Sequence, residues 1–304
     1  MSNELGYEKP LFILAFDHRA SFAKNIFNLT GVPDAEQLKK IQEYKQVIYK
    51  GFQGAILQGI PEQEAAILVD EQFGDAVLRE AKSENHIVIL TVEKSGQEEF
   101  DFEYGQDFAA HIEKYQPTFA KALIRYNPEG DQELNGRQAQ RLKILSDYCH
   151  SSGYKFLIEP LIPATPEQMS SVAGEVKRYD LEIRPALTVK MIAELQHSGV
   201  EPDIWKIEGM EHSQTYEEAV IQARSGGRDK VSAVILGRDA PDDLVEEWLE
   251  AGAKVAGVAG FAIGRTIFQD TLISLREGKI DQDTAIKEIA NNYYHFYKIF
   301  KSVQ

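Results

Sequence analysis

Lys206 sits in the middle of a short apolar segment, Pro202-Asp203-Ile204-Trp205-Lys206-Ile207-Glu208-Gly209. An ammonium there is costly to desolvate unless it is paired or neutralised. Turned into a protein interior, a lysine drops from a pKa of about 10.4 toward roughly 7 to 8, and its neutral amine can attack a carbonyl. Lys206 is therefore a candidate Schiff-base nucleophile, and the plainer alternative is an ion pair with Glu208 on the same strand face. Such a nucleophile needs a neighbouring cation or a dry pocket, and a carboxylate to carry protons through carbinolamine and enamine steps. Lys121, Arg125, Glu159 and Glu208 offer both. Glu159 lies within Phe156-Leu157-Ile158-Glu159-Pro160-Leu161, so burial predicts a raised pKa suited to acid and base work. The alternative for Glu159 is an ion pair with Lys121 or Lys206. Asp17 is placed either to orient Lys206 or a substrate hydroxyl, or to make a structural contact with Arg19 or backbone amides.

Those residues need a scaffold, and the chain supplies a regular one. Short apolar runs alternate with amphipathic helical patterns, the signature of repeated βα units around a parallel sheet. Strands are predicted at Leu11–Phe16, Ala65–Val69, Ile87–Thr91, Phe119–Tyr126, Lys155–Leu161, Asp203–Ile207, Val231–Leu236 and Val255–Ile263. Helical patterns between them include 35–57, 108–115, 136–152, 167–179, 183–198, 216–225 and 241–251, and the chain closes with 281–302. Eight strands without an internal break predict a single (β/α)8 TIM barrel over residues 1–304, with an open doubly wound sheet as the alternative.

A barrel gathers its site where strands end and βα loops begin. Asp17-His18-Arg19, Asp70, Glu93-Lys94 and Arg125-Tyr126-Asn127 end the first four strands, while Glu159, Lys206 and Glu208 lie in the fifth and sixth. Alternation puts Lys121 with Arg125, and Ile204 with Lys206 and Glu208, on inward faces, leaving Trp205 and Ile207 to pack against helices. Two Gly-Arg pairs follow the last two strands, in Leu236-Gly237-Arg238-Asp239 and Ala262-Ile263-Gly264-Arg265-Thr266. Glycine admits close approach of backbone to an anion, and arginine clamps phosphate oxygens through its planar fork. Gly237, Arg238, Gly264 and Arg265, with Arg19, Arg125 and Glu208, are thus the expected substrate- and phosphate-binding set.

Other chemistries have no anchor. The formal charge of -15 opposes nucleic acid and anionic lipid surfaces. The start, Met1-Ser2-Asn3-Glu4-Leu5, lacks a basic segment followed by an apolar run, and no stretch is long enough to span a bilayer, so a cytoplasmic protein is expected. Cys149 is the one cysteine, which excludes an intrachain disulfide and a thiolate zinc cluster. His18, His86, His111, His150, His197, His212 and His295 show no metal-ligand spacing, so neither metal nor cofactor is expected. Gly226-Gly227 is a lone loop pair, and no Walker or Rossmann fingerprint occurs. The terminal aromatic run Tyr293-Tyr294-His295-Phe296-Tyr297-Phe300 has helical spacing and reads as core or as the interface of a homo-oligomer.

Taken together, Leu14-Ala15-Phe16-Asp17-His18-Arg19, Lys121, Phe156-Leu157-Ile158-Glu159-Pro160-Leu161, Trp205-Lys206-Ile207-Glu208 and Ile263-Gly264-Arg265 resemble the class I aldolases of the tagatose-bisphosphate aldolase group, which includes sulfofructose-phosphate aldolase. The chain is more similar still to the aldolase-like barrel fused to the kinase of bacterial inositol catabolism, 5-dehydro-2-deoxygluconokinase. The likeness runs from about Leu11 to Phe268. It implies that Lys206 forms the Schiff base, Glu159 shuttles protons, Asp17 and Lys121 assist around the carbonyl, and Gly264 with Arg265 holds a phosphate. His18 stands where that group has glutamine, and Gly237-Arg238 replaces its serine-containing turn; both departures touch the substrate end of the site. The expected activity is metal-independent cleavage of a phosphorylated keto sugar or keto sugar acid to dihydroxyacetone phosphate and an aldehyde. The resemblance points to 2-deoxy-5-keto-gluconate 6-phosphate, with malonic semialdehyde as second product. The rival expectation is a non-catalytic sugar-phosphate-binding or kinase-partner barrel.

Overall fold

The computed structural model describes residues 4–238 and 240–304. Its strands are β1 (Leu11–Ala15), β2 (Ala65–Val69), β3 (Ile87–Thr91), β4 (Phe119–Arg125), β5 (Lys155–Leu161), β6 (Ile204–Glu208), β7 (Ser232–Leu236) and β8 (Val258–Ile263). They pair in parallel in sequence order, and Leu11↔Gly260 through Leu14↔Ile263 join β1 to β8. That last pairing closes the (β/α)8 barrel and rules out the open sheet. The helices are α1 (Ala20–Phe27), α2 (Ala35–Gln58), α3 (Glu71–Ser83), α4 (Phe108–Tyr115), α5 (Gln132–Ser152), α6 (Pro166–Ser171), α7 (Val176–Arg178), α8 (Arg184–His197), α9 (Ser213–Arg224), α10 (Asp242–Ala253), α11 (Arg265–Arg276) and α12 (Gln282–Val303).

Period-two alternation divides the strand residues into two apolar sets. Ile13, Leu68, Ile89, Phe119, Leu157, Ile204 and Val234 fill the barrel. Phe12, Ile67, Leu90, Ile158, Trp205 and Ile235 join the layer between strands and helices. One irregularity matters for the site. Between β7 and β8 the register steps from Ala233↔Val258 to Val234↔Gly260, leaving Ala259 as an extra residue. This bulge turns the end of β8, so that Ala262 and Gly264 line the barrel mouth. Gly260 has φ +158, and a Cβ there would lie 2.1 Å from Leu11 O, so the bulge requires glycine.

The lower end is plugged by the N-terminal segment. Fully buried Asp203 accepts from Gly6 N at 2.8 Å, Phe156 N at 2.8 Å and Lys155 Nζ at 2.9 Å. α12 packs on α2, and Tyr293 Oη donates to Phe12 O at 2.6 Å. Tyr293, Phe296 and Phe300 are buried, which makes this face of the terminal aromatic run part of the core.

Most element ends shift by one to a few residues from the sequence expectation, and three of the shifts bear on the strand ends and the connection after β5. The helix expected over 167–179 breaks after α6, because Ala173 (φ 56) and Gly174 (φ 78) turn left-handed, and Tyr179–Ile183 forms a π-helical turn. β8 begins at Val258, since Val255 N bonds Gly252 O and closes a turn. β6 reaches Glu208. Among the described residues, no helix is long and apolar enough to cross a membrane.

Candidate active site

Lys121 stands at the centre of the mouth. From β4 its Nζ reaches Asp17 Oδ2 at 2.8 Å, Glu93 Oε1 at 2.7 Å and Glu159 Oε2 at 2.9 Å. Burial alone pushes a lysine pKa down, but here the Asp17, Glu159 and Glu93 carboxylates outweigh it and hold the value well above the lysine norm. The Lys121 ammonium therefore keeps its proton. Thr91 Oγ1 donates to Glu93 Oε1 at 2.8 Å and so fixes that carboxylate.

Lys206 has a different environment. It is 3 % exposed, and its Nζ meets Glu159 Oε1 at 2.9 Å. The ion pair with Glu208, admitted by strand alternation, does not form. Glu208 instead accepts from Ile162 N at 2.9 Å and pairs with Arg238 Nε at 3.1 Å and Arg184 Nη1 at 3.4 Å. Glu159 joins the two lysines. Burial raises its pKa, yet the ammonium groups of Lys121 and Lys206 reverse the balance and leave it below the glutamate norm. The raised pKa expected from sequence is thus corrected to a lowered one, and Glu159 is an ionised base. For Asp17 too, burial works upward, and Lys121, His18 and Lys206 together hold its carboxyl far below the ordinary range. Neither the contact with Lys206 nor the one with Arg19 weighed for Asp17 forms; its side-chain partner is Lys121.

These groups open into a cavity of about 530 Å³ at the C-terminal ends of the strands. All the expected binding residues line it, in differing states. Arg19 donates to Glu93 O at 2.6 Å and Glu103 Oε2 at 2.8 Å, tying the end of β1 to the segment after β3. Arg125 donates to Gln97 O and faces Glu98 at 3.5 Å. Arg238, at φ 53, is held by Glu208 and by Asp180 at 2.9 Å. Its sequence neighbour Asp239 lies outside the described residues. Gly237 has no steric need to be glycine, because a Cβ there would sit 3.4 Å from Ile263, an ordinary contact.

Gly264 does have that need. A Cβ would stand 2.3 Å from Ala15 O and 3.2 Å from His18 Cε1. α11 starts at the next residue, Arg265, so a helix N-terminus and a guanidinium open together on the cavity. His18 lies in the same corner. Burial, then the nearby Arg265 and Lys206 charges, lower its pKa to about 4 against the opposing pull of Asp17, so the ring is neutral at pH 7. Its buried Nδ1 has no hydrogen-bond partner. Sequence reading named His18 as a departure and Glu93 as a strand end, without giving either a contact. Thr91 and Glu93, two apart at the end of an apolar strand, were the available signal. Among the described residues, no group of three His, Cys, Asp or Glu side chains is disposed to hold a metal ion.

The family described as "Uncharacterized protein conserved in bacteria (DUF2090)" matches residues 2–304. The chain belongs to this family. No curated protein matches it. Among solved structures it is similar to a fructose-bisphosphate aldolase from Plasmodium falciparum, at 13 % identity and TM-score 0.66, over 98 % of this chain and 92 % of that one. An archaeal fructose 1,6-bisphosphate aldolase is similar at 13 % identity and TM-score 0.58, over 97 % and 95 %. A Corynebacterium glutamicum protein follows the same path at 15 % identity and TM-score 0.59, over 96 % and 88 %. At such identities the shared property is the barrel fold.

Proposed function

We propose that this barrel is a Schiff-base aldolase, with Lys206 as nucleophile and Glu159 as proton carrier. The 2.9 Å contact between Lys206 Nζ and Glu159 Oε1 carries the reading. Lys121, clamped by three carboxylates, retains its proton and lacks the lone pair that a nucleophile needs. The two aldolases of the same fold are in keeping with this reading.

Lys206 attacks a substrate ketone as the neutral amine, after its proton passes to Glu159 or to water. The carbinolamine hydroxyl takes that proton back from Glu159 or from water and departs as water, which gives an iminium and leaves Glu159 ionised. Glu159 then takes the proton of the hydroxyl on the carbon β to the iminium. The C–C bond between the α and β carbons breaks, an aldehyde departs, and the bonding pair moves into the iminium to give a neutral enamine. Quenching the iminium charge removes one of the two cations that hold Glu159 ionised, so its proton affinity rises as the proton arrives. Protonation of the enamine carbon and hydrolysis release the ketone product and free Lys206.

Gly264, the N-terminus of α11 and Arg265 suit a phosphate on the ketone side. The substrate is then a phosphorylated keto sugar or keto sugar acid, and the products are dihydroxyacetone phosphate and an aldehyde. Among these, 2-deoxy-5-keto-gluconate 6-phosphate is the candidate to assay first. Borohydride added with dihydroxyacetone phosphate is expected to reduce the iminium and leave an adduct that peptide mass spectrometry finds on Lys206, and Lys206→Arg removes it. Labelling on Lys121 would transfer the nucleophile to β4. Absence of labelling with every phosphorylated ketose tried would favour a non-catalytic sugar-phosphate-binding or kinase-partner barrel.

A further inference from the structure

A second buried lysine cluster lies outside the cavity. Lys45 projects from α2 on the same stripe as Ile41, Ile48 and Phe52, and it is 0 % exposed. Its Nζ donates to Phe16 O at 2.8 Å and His18 O at 3.1 Å, and it pairs with Asp70. Asp70 is 1 % exposed and caps α3 by accepting from Phe73 N at 2.7 Å through its other oxygen. The rings of Phe22 and Phe73 close over the ammonium, 5.4 and 5.7 Å away. Lys45 is absent from the cavity lining, whereas Asp17, His18 and Arg19 all belong to it.

The two carbonyls that Lys45 grips bracket Asp17. We infer that Lys45 is a positioning residue for the candidate active site: from behind the wall it fixes the backbone of Phe16 and His18, and thereby sets where the Asp17 carboxylate and the His18 ring stand. Arg19 secures the same loop sideways to Glu93 O. Nothing else among the contacts described holds Phe16 O or His18 O from below, and a chain leaving a strand has no ladder partner for both. Burying an ammonium in an aromatic cage to hold two carbonyls is a costly way to stabilise a helix but an effective way to fix a loop.

The inference rests on the proposed activity for its kinetic readout, and a second readout is independent of it. Asp70→Asn removes the charge partner but leaves an acceptor for Phe73 N. Lys45, then free to be a neutral amine, still has two N–H groups for the two carbonyls. This variant is expected to lose thermal stability while keeping its rate and the NMR signal of the His18 imidazole. Lys45→Met leaves Asp70 without its counter-charge and both carbonyls without a donor, so it should lose stability and rate. The double variant Lys45→Met/Asp70→Asn removes both buried charges and should recover stability relative to Lys45→Met. Its rate of iminium trapping on Lys206 should stay down by roughly 10- to 100-fold, with the His18 signal displaced. Recovery of rate together with stability, or an unmoved His18 signal in the double variant, overturns the positioning role. Should the double variant not fold, Asp70→Asn decides alone: loss of its rate, or a shift of its His18 signal, in step with its stability overturns the inference. If the wild-type protein fails to trap a ketose phosphate, the aldolase reading falls, and the His18 signal still decides the role of Lys45.

Discussion

Lys206 and Lys121 share one carboxylate: Glu159 faces the first through Oε1 and the second through Oε2, each at 2.9 Å. The two ammonium groups differ in everything else. Lys121 has two further carboxylates, Asp17 and Glu93, whereas among the described residues Lys206 has Glu159 as its one ion-pair partner. Lys121 is thereby held as a permanent cation.

Glu159→Gln tests that division. The amide keeps the size and a hydrogen-bonding oxygen but takes up no proton. Cleavage in a single-turnover assay should fall by about 10²- to 10⁴-fold, the range typical of a lost general base. Retention of cleavage within a few-fold of wild type would sink the assignment of Glu159 as the proton carrier.

Lys121→Met should act on the fold as well as on the chemistry. It leaves Asp17, Glu93 and Glu159 buried around one point with no ammonium between them. Removing one partner of a buried ionic group costs about 3–5 kcal/mol. Urea unfolding should show that loss. A variant as stable as wild type would mean that the carboxylates relax to water more readily than their burial implies.

Much of this was legible in the sequence, for a physical reason. Parallel strands covered on both faces need near-continuous apolar runs, so a charge inside such a run is conspicuous. Lys121, Glu159 and Lys206 stood out on that account, and all three converge. Partner choice was less legible. The raised pKa expected for Glu159 followed from burial, and it failed because two ammonium groups from different strands arrive at the same carboxylate. Glu208 was expected near Lys206 by alternation, yet Arg238 approaches it from the loop after β7 and Arg184 from the first residue of α8, and no local pattern specifies either approach. Lys45 was not singled out from the sequence, although its place on the apolar stripe of α2 was visible.

Acid should expose the state of His18. Its folded pKa is about 4 against an ordinary value of 6.5, so between those values the unfolded chain binds a proton that the folded protein does not. Stability from this group is complete above pH 6.5 and declines as the pH falls toward 4, with a slope of up to about 1.4 kcal/mol per pH unit. Asp17 and Glu159 have folded pKa values below their ordinary 3.8 and 4.5, so their contribution is present above those values and is lost only at lower pH. Lys121 is shifted the other way. Its contribution is complete below pH 10.5 and disappears only as the pH climbs through its raised pKa. Thermal melts of His18→Asn should therefore be flatter than wild type between pH 6.5 and 4 and should converge on the same acid transition below it. Parallel curves for the two proteins would show that His18 titrates normally in the fold.

Arg265→Ala addresses the phosphate end. Gly264 brings the backbone within reach of the cavity, and Arg265 opens α11 beside it, so the proposed phosphate would meet the guanidinium and the helix N-terminus together. Removing the side chain leaves the helix terminus in place. A hydrogen bond to a charged group contributes about 1.5–3 kcal/mol, so KM for a phosphorylated substrate should rise by roughly 10- to 150-fold. kcat should change far less, because in the proposed mechanism Lys206 on β6 and Glu159 on β5 act at the carbonyl rather than at the phosphate. The unphosphorylated ketose is the control, since a variant that has lost only phosphate contact treats it as wild type does. An unchanged KM for the phosphorylated substrate, with the circular dichroism spectrum also unchanged, would move the phosphate away from α11 and toward Arg125 on β4, the strand that faces β8 across the closed barrel.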